Sequence, residues 1–174
     1  MKFKFHLAPV MSAVVAVSAA AVDLQTVEEA GNKIYPDASL SPADFTIPST
    51  DFAQLKREFD VPAFRPNVKA WRTQEGDWLF LDQVYGLADI VSYMVGINQA
   101  GEIVGLEILT CAEGFCDNLF TVEWRAQLSE ARVGKWRPRD RVPIISGSTM
   151  STTHVADGVK KMLAIHAAYL PGQN

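Results

Sequence analysis

The residues most able to do chemistry lie in one short segment near the C-terminus, where hydroxyl side chains surround a glycine. The segment 144–152 is Ile-Ile-Ser-Gly-Ser-Thr-Met-Ser-Thr. An apolar strand over Val142–Ile145 leads into the turn, and the spacing of apolar residues predicts a helix over 152–169. A helix N-terminus offers unpaired N–H groups and the positive end of the helix dipole, which suits an anion such as phosphate. Gly147 lets the backbone approach such a ligand closely.

The same hydroxyls have a simpler interpretation. Ser and Thr are common at helix starts, so Ser151 or Thr152 could do no more than cap the helix. His154 and Asp157 follow and suggest a hydrolase, but the segment lacks G-x-S-x-G and local spacing does not establish a nucleophile and its base. We reject the hydrolase. A positive charge on His154 in the first helical turn would also be disfavoured by the dipole.

The cysteines and histidines are few. Cys111 and Cys116 form a C-x4-C pair, for which a structural disulfide that closes a small loop is the first interpretation. A redox-active pair, two free thiols or an intermolecular contact are the alternatives. No C-x-x-C-H is present, so no c-type haem is implied. Beyond the N-terminal segment only His154 and His166 remain, too few for a zinc site built from histidines; no metal is expected.

The length and composition of the chain restrict the class of protein to which these residues belong. The 174 residues are 48% hydrophobic and 21% charged, as in an ordinary globular domain. The formal net charge of −4 argues against a general nucleic-acid binder. Basic residues nevertheless cluster near the turn, as a solvated face or as an anion-steering or docking patch; they are Lys135, Arg137, Arg139 and Arg141.

The N-terminal segment is predicted to lie outside the fold. Lys2 and Lys4 precede an apolar run, and small residues end it near position 20, which is the layout of a secretory signal peptide. An uncleaved anchor is the alternative. Removing residues 1–20 takes the formal net charge from −4 to −6. We therefore predict an export signal over 1–20 and a single domain over 21–174.

We predict the helices and strands between these segments from the periodicity of apolar residues. Helices are predicted over 24–33, over 51–59 with Thr50 as its cap, and over 120–128. Between the last two, β-branched and aromatic runs separated by turn residues predict an antiparallel meander; its strands are 68–73, 78–85, 89–98 and 102–110. The third strand is expected to have one strongly apolar face. The fold class is α+β, an antiparallel twisted sheet with flanking helices.

The hydroxyl-rich turn resembles the S/T-G-A-T-x-T/S signature of the FMN-binding domain family. That domain occurs in the periplasmic flavin subunits of the bacterial Rnf and sodium-pumping quinone reductase complexes and in related small secreted proteins. In the family the threonine that ends the first four residues can carry FMN through a phosphoester bond. The resemblance makes Thr149 that residue, with Ser146, Gly147 and Ser148 before it and Ser151 and Thr152 after it.

The resemblance extends over roughly residues 35–170. It includes Ile34–Ala38, the strands from 84 to 106, and the W…Q…GK stretch over 124–135. Glu113-Gly114-Phe115 is similar to the family loop E-T-P-G, which implies flavin contacts at Glu113 and Gly114. Phe115 and Trp124 are candidates for contact with the flavin ring, Trp124 being alternatively a core residue.

Two positions depart from the family pattern. Ser148 replaces the usual alanine. Pro143 stands where the flavin-attaching transferase is associated with an aspartate, so both covalent and non-covalent FMN stay open.

The resemblance implies an exported FMN-binding flavoprotein that carries electrons in a membrane-associated or periplasmic redox chain. It would be an electron-transfer protein or oxidoreductase subunit rather than a stand-alone enzyme, with no catalytic residue of its own. The partners implied are membrane or periplasmic redox proteins and a flavin transferase, not nucleic acid. Its place is the periplasm or the periplasmic face of the inner membrane. The alternative, which Pro143 favours, is a non-redox secreted binding module with a decayed flavin motif.

Overall fold

The computed structural model describes residues 24–62, 64–111, 119, 121–134 and 149–170. Within these ranges, the helices are α1 Leu24–Ile34, α2 Ser49–Phe59, α3 Val122–Ala126 and α4 Thr149–Tyr169, and a 3-10 turn Gln127–Glu130 follows α3. The strands are β1 Leu40–Pro42, β2 Phe45–Thr46, β3 Asn67–Thr73, β4 Trp78–Tyr85, β5 Ile90–Ile97 and β6 Ile103–Thr110. None of the described helices is both long and apolar enough to span a membrane.

The strands form an antiparallel sheet in the order β1-β3-β4-β5-β6, and β2 also pairs with β3. The α+β class and the meander are confirmed. The four predicted strands lie within one residue of their expected ends, because alternating apolar residues and turn glycines fix both the strands and their connections. Gly76 and Gly101, in two of these turns, have φ of +96° and +77°, which glycine adopts without strain.

The strongly apolar face expected on β5 is confirmed, but the opposite face of the strand is buried as well. Tyr93 and Val95 share a core with α4, whereas Met94 packs with α1 in a second cluster. Gly96 makes the approach of α1 possible: a Cβ there would lie 2.5 Å from Ile34 Cγ2. A helix on each side of the central strand explains why β5 has no polar face.

Other differences concern short elements and helix ends. The strands β1 and β2 were predicted as loop. Thr50 does not cap α2, which begins at Ser49 after Pro48 without a side-chain cap; the Thr50 hydroxyl donates to Asp51 Oδ1 instead. The helix predicted over 120–128 is the shorter α3 continued by the 3-10 turn, and Thr121 caps it by accepting from the Trp124 N–H at 3.3 Å.

A buried polar network holds α4 on the sheet. Lys161 Nζ donates to Asp82 Oδ1 at 2.7 Å, and the Tyr93 hydroxyl donates to Asp82 Oδ2 at 2.6 Å. Burial, reinforced by the Asp82 carboxylate, raises the pKa of Tyr93 well above its ordinary value. The network joins α4 to β4 and β5 and therefore fixes the position of α4 on the sheet.

Candidate functional site

The candidate site starts at the first turn of α4, which the structure begins at Thr149 rather than at the predicted Thr152. Thr149 is exposed, whereas Ser151 and Thr152 are 2% and 1% exposed. The Thr152 hydroxyl donates to the Thr149 carbonyl at 3.1 Å, a contact inside the helix. Neither Ser151 nor Thr152 is therefore a helix cap, and that interpretation is wrong. Of these three residues, Thr149 is therefore the one that is exposed at the start of α4.

The rest of the predicted turn lies outside the described residues, namely Pro143, Ser146, Gly147 and Ser148. The same is true of Glu113, Gly114, Phe115 and Cys116 in the preceding loop, and of the basic cluster Lys135, Arg137, Arg139 and Arg141. Their roles in the site stay predictions. Cys111 is described and is disulfide-bonded; the other cysteine in the sequence is Cys116.

One hydrogen bond places the start of α4 in the fold. His154 Nδ1 lies 2.5 Å from the carbonyl oxygen of Tyr85, the last residue of β4. We expected His154 in the first helical turn. Because α4 begins at Thr149, His154 lies in the second turn instead. The first turns of α4 thus meet the edge of the sheet where β4 turns into β5.

The end of β6 lies at this same edge. Thr110 pairs with Ser92 on β5, so β6 ends beside the β4–β5 turn. The topology therefore brings the end of β6 and the start of α4 to one edge of the sheet.

Three large apolar side chains are exposed on the first turn of α4 and at the β4–β5 turn. Tyr85 is 74% exposed, Leu87 in the β4–β5 turn is 61% exposed, and Met150 is 46% exposed. We call these three residues the edge patch. Sequence reasoning missed them, because an aromatic residue at the end of a strand before a glycine turn is indistinguishable in sequence from a core residue.

Two residues considered for the site belong to the core instead. Trp124 is 2% exposed and packs in the main cluster, which confirms the core interpretation. Its indole Nε1 is buried without a hydrogen-bond partner in the described part of the chain. His166 is buried at the other end of α4, where burial lowers its pKa and the Asp77 charge opposes that shift. No group of three or more potential metal ligands occurs within the described ranges.

These observations fit the cofactor that the resemblance implies. FMN has an anionic phosphate and a flat, largely apolar ring. Thr149 offers an exposed hydroxyl at the positive end of a 21-residue helix. The edge patch offers exposed apolar surface beside it. Both parts of the ligand thus have matching chemistry at this edge of the sheet.

Comparison with known protein families matches residues 86–164 to the FMN-binding domain. The match runs from the β4–β5 turn through β5, β6 and α3 into α4 and contains Thr149; the Ile34–Ala38 segment lies outside it. A search of curated proteins finds no significant match. Residues 86–164 of the chain are therefore similar to the FMN-binding domain family, and this similarity supports FMN as the cofactor.

Proposed function

We propose that this protein is an exported flavoprotein that carries electrons between membrane or periplasmic redox partners, with FMN attached to Thr149 by a phosphoester. The observation that carries the proposal is the exposure of Thr149 at the first residue of α4, inside the family match. The flanking hydroxyls Ser151 and Thr152 are buried, which favours Thr149 over these two residues as the attachment point.

The chain's own residues do three things at this site. Thr149 Oγ1 forms the bond to phosphorus, with the net loss of one water relative to free FMN and protein. The ester keeps one negative charge, which the N-terminus of α4 stabilises by about 0.3–1 kcal/mol. The Lys161–Asp82 pair holds α4 on the sheet at 2.7 Å and so fixes the position of Thr149. FMN supplies the electron chemistry, and the protein tunes it through contacts and charge.

Export and redox partners are supported by the sequence. Residues 1–20 have the layout of a signal peptide. A flavin transferase would be required to form the ester.

The experiment is intact-mass measurement on protein purified from its native host. We expect an added mass equal to FMN less one water, with the visible absorption of a flavin. Thr149→Ala should remove the added mass and keep the far-UV circular dichroism of the folded chain. The matched control is Thr153→Ala, a hydroxyl in the same helix that should leave attachment unchanged.

Each other outcome has a defined meaning. Bound flavin without added covalent mass would contradict the ester at Thr149 but keep the flavoprotein, as the proline at position 143 suggests. A colourless protein with no affinity for added FMN would overturn the proposal and favour the non-redox binding module.

A further inference from the structure

We propose that the edge patch, Tyr85 with Leu87 and Met150, is the seat of the flavin ring, and that His154 is the positioning residue that fixes Tyr85. The inference rests on the proposed function, because it takes FMN to be held at Thr149. It assigns residues that the family match does not: Tyr85 lies just before its first residue, 86.

The contact between His154 and Tyr85 determines the state of the imidazole. A carbonyl oxygen can only accept, so Nδ1 carries the proton and donates it at 2.5 Å. This bond joins the second turn of α4 to the end of β4. The backbone of Tyr85 also pairs with Ile90, and the Gly86 N–H donates to the Asp89 carbonyl at 2.7 Å to close the turn.

The backbone of Tyr85 is thus held from two sides while its ring is 74% exposed. An aromatic side chain on a fixed backbone loses less conformational freedom when it binds a planar ligand than one on a mobile segment does. Aromatic pairs and sulfur–aromatic contacts are favourable beyond the area they bury. Met150 follows Thr149 and lies one helical turn before His154, so it is on the same face of α4 as the residue that contacts Tyr85.

The size of the patch decides between occupants. Single exposed apolar residues are ordinary on protein surfaces, and a stable interface with a second protein needs about 800 Å² on each side. Three side chains do not supply that area, whereas a fused aromatic ring needs only a few apolar contacts. The flavin ring is therefore the occupant to which the structure points.

The first test uses the fluorescence of bound FMN, which a phenol in contact quenches by electron donation to the excited ring, whereas a phenyl ring does not. In Tyr85→Phe the flavin should stay bound with unchanged affinity and become brighter. In Tyr85→Ser it should become brighter and non-covalent binding of added FMN to apo protein should weaken about two- to tenfold. The control is Val104→Ser, another exposed apolar residue, at the start of β6, which should change neither.

The second test concerns His154. The change His154→Leu removes the donor to the Tyr85 carbonyl, so quenching should fall although Tyr85 is intact. The change His154→Asn retains an N–H donor and should restore quenching. A role in stability alone would change the melting temperature in both variants without following this order in the fluorescence.

The outcomes separate this inference from the proposed function. Wild-type protein that takes up no flavin would contradict the proposed function itself. Flavin bound with the same brightness and affinity in Tyr85→Phe, Tyr85→Ser and wild type would contradict only the assignment of the flavin ring to the edge patch. Loss of self-association or of partner binding in Tyr85→Ser, with the flavin unaffected, would also overturn it and make the patch a docking surface.

Discussion

Two neighbouring lysines on α4 pair with carboxylates that differ in exposure. The Lys161 side chain is 7% exposed and its partner Asp82 is 11% exposed, whereas Lys160 pairs with the fully exposed Asp60 at 3.4 Å. Lys161→Met leaves a buried carboxylate without its cation, and we expect a loss of about 3–5 kcal/mol in the free energy of unfolding. Lys160→Met, the adjacent control, should lose no more than about 1 kcal/mol. Urea denaturation measures both, and equal losses would contradict a special role for the buried pair.

His166 makes stability depend on pH. Burial lowers the pKa of His166 in the folded chain, and the Asp77 charge opposes but does not cancel the effect. Below the unfolded pKa of about 6.5, the unfolded chain therefore binds a proton that the folded chain does not. Stability should be fully present above that pH and fall as pH drops through the folded pKa.

The change His166→Gln tests this sign, because glutamine keeps polar atoms but does not titrate. The urea midpoint of wild type should fall from pH 7.5 to 5.5 (about one unit either side of the reference pKa) more steeply than that of the variant. Parallel curves would show that the pH dependence comes from other groups.

At the residue scale, the sequence indicates the residue proposed to attach FMN but not the residues proposed to contact the flavin ring. Thr149 stands out because glycine and hydroxyls before a helix have a definite physical meaning at a helix N-terminus. Tyr85 and Leu87 have no such signal, because their exposure depends on where β4 ends and on the contact between α4 and the Tyr85 carbonyl. Both depend on contacts between residues that are distant in sequence; His154 and Tyr85 are 69 positions apart.

At the element scale, the close approach of α4 to the sheet depends on Gly158. A Cβ at this position would overlap the Tyr93 hydroxyl and lie 2.9 Å from Asp82 Oδ2. Both atoms belong to the buried network that also holds Lys161, so they have little room to move. Gly158→Ala gains about 1 kcal/mol of helix propensity, but overpacking of about 1–3 kcal/mol should exceed it.

A second change separates the clash from other effects. Tyr93→Phe removes the hydroxyl that the new methyl group would meet. In the double variant the further loss caused by Gly158→Ala should be smaller than in the wild-type background, a coupling that denaturation of the four proteins measures. Additive losses would show that the Tyr93 hydroxyl is not what opposes a methyl group at position 158.

The elements themselves were predictable where their signal is local and long. The strands β3 to β6 run for seven or eight residues and end at turn residues, so alternation and turn chemistry define them. The strands β1 and β2 have three and two residues, and Pro42 lies in β1; pairing with β3 creates them, not propensity. The two-sided burial of β5 was missed because nothing local indicates that α1 and α4 cover opposite faces.

At the scale of the whole molecule, the family match covers one part of a continuous sheet. β4 pairs with β5 along all eight residues, from Trp78 against Ile97 to Tyr85 against Ile90. Yet β4 lies outside residues 86–164. Its residues Leu79 and Phe80 are fully buried, one in each of the two core clusters. The FMN-binding part therefore shares both of its cores with the segment that precedes it.

We accordingly expect a fragment of residues 86–174 not to fold. Without β4, one edge of β5 loses its hydrogen-bond partner, Lys161 loses Asp82, and the surfaces that α1 and β4 cover become exposed; an edge of this kind promotes aggregation. The measurement is circular dichroism with urea titration. A chain that begins at residue 22 is the control and should unfold cooperatively, because all the described elements remain. Cooperative unfolding of the 86–174 fragment, with FMN binding, would show instead that the matched residues are an independent unit to which the N-terminal strands are merely added.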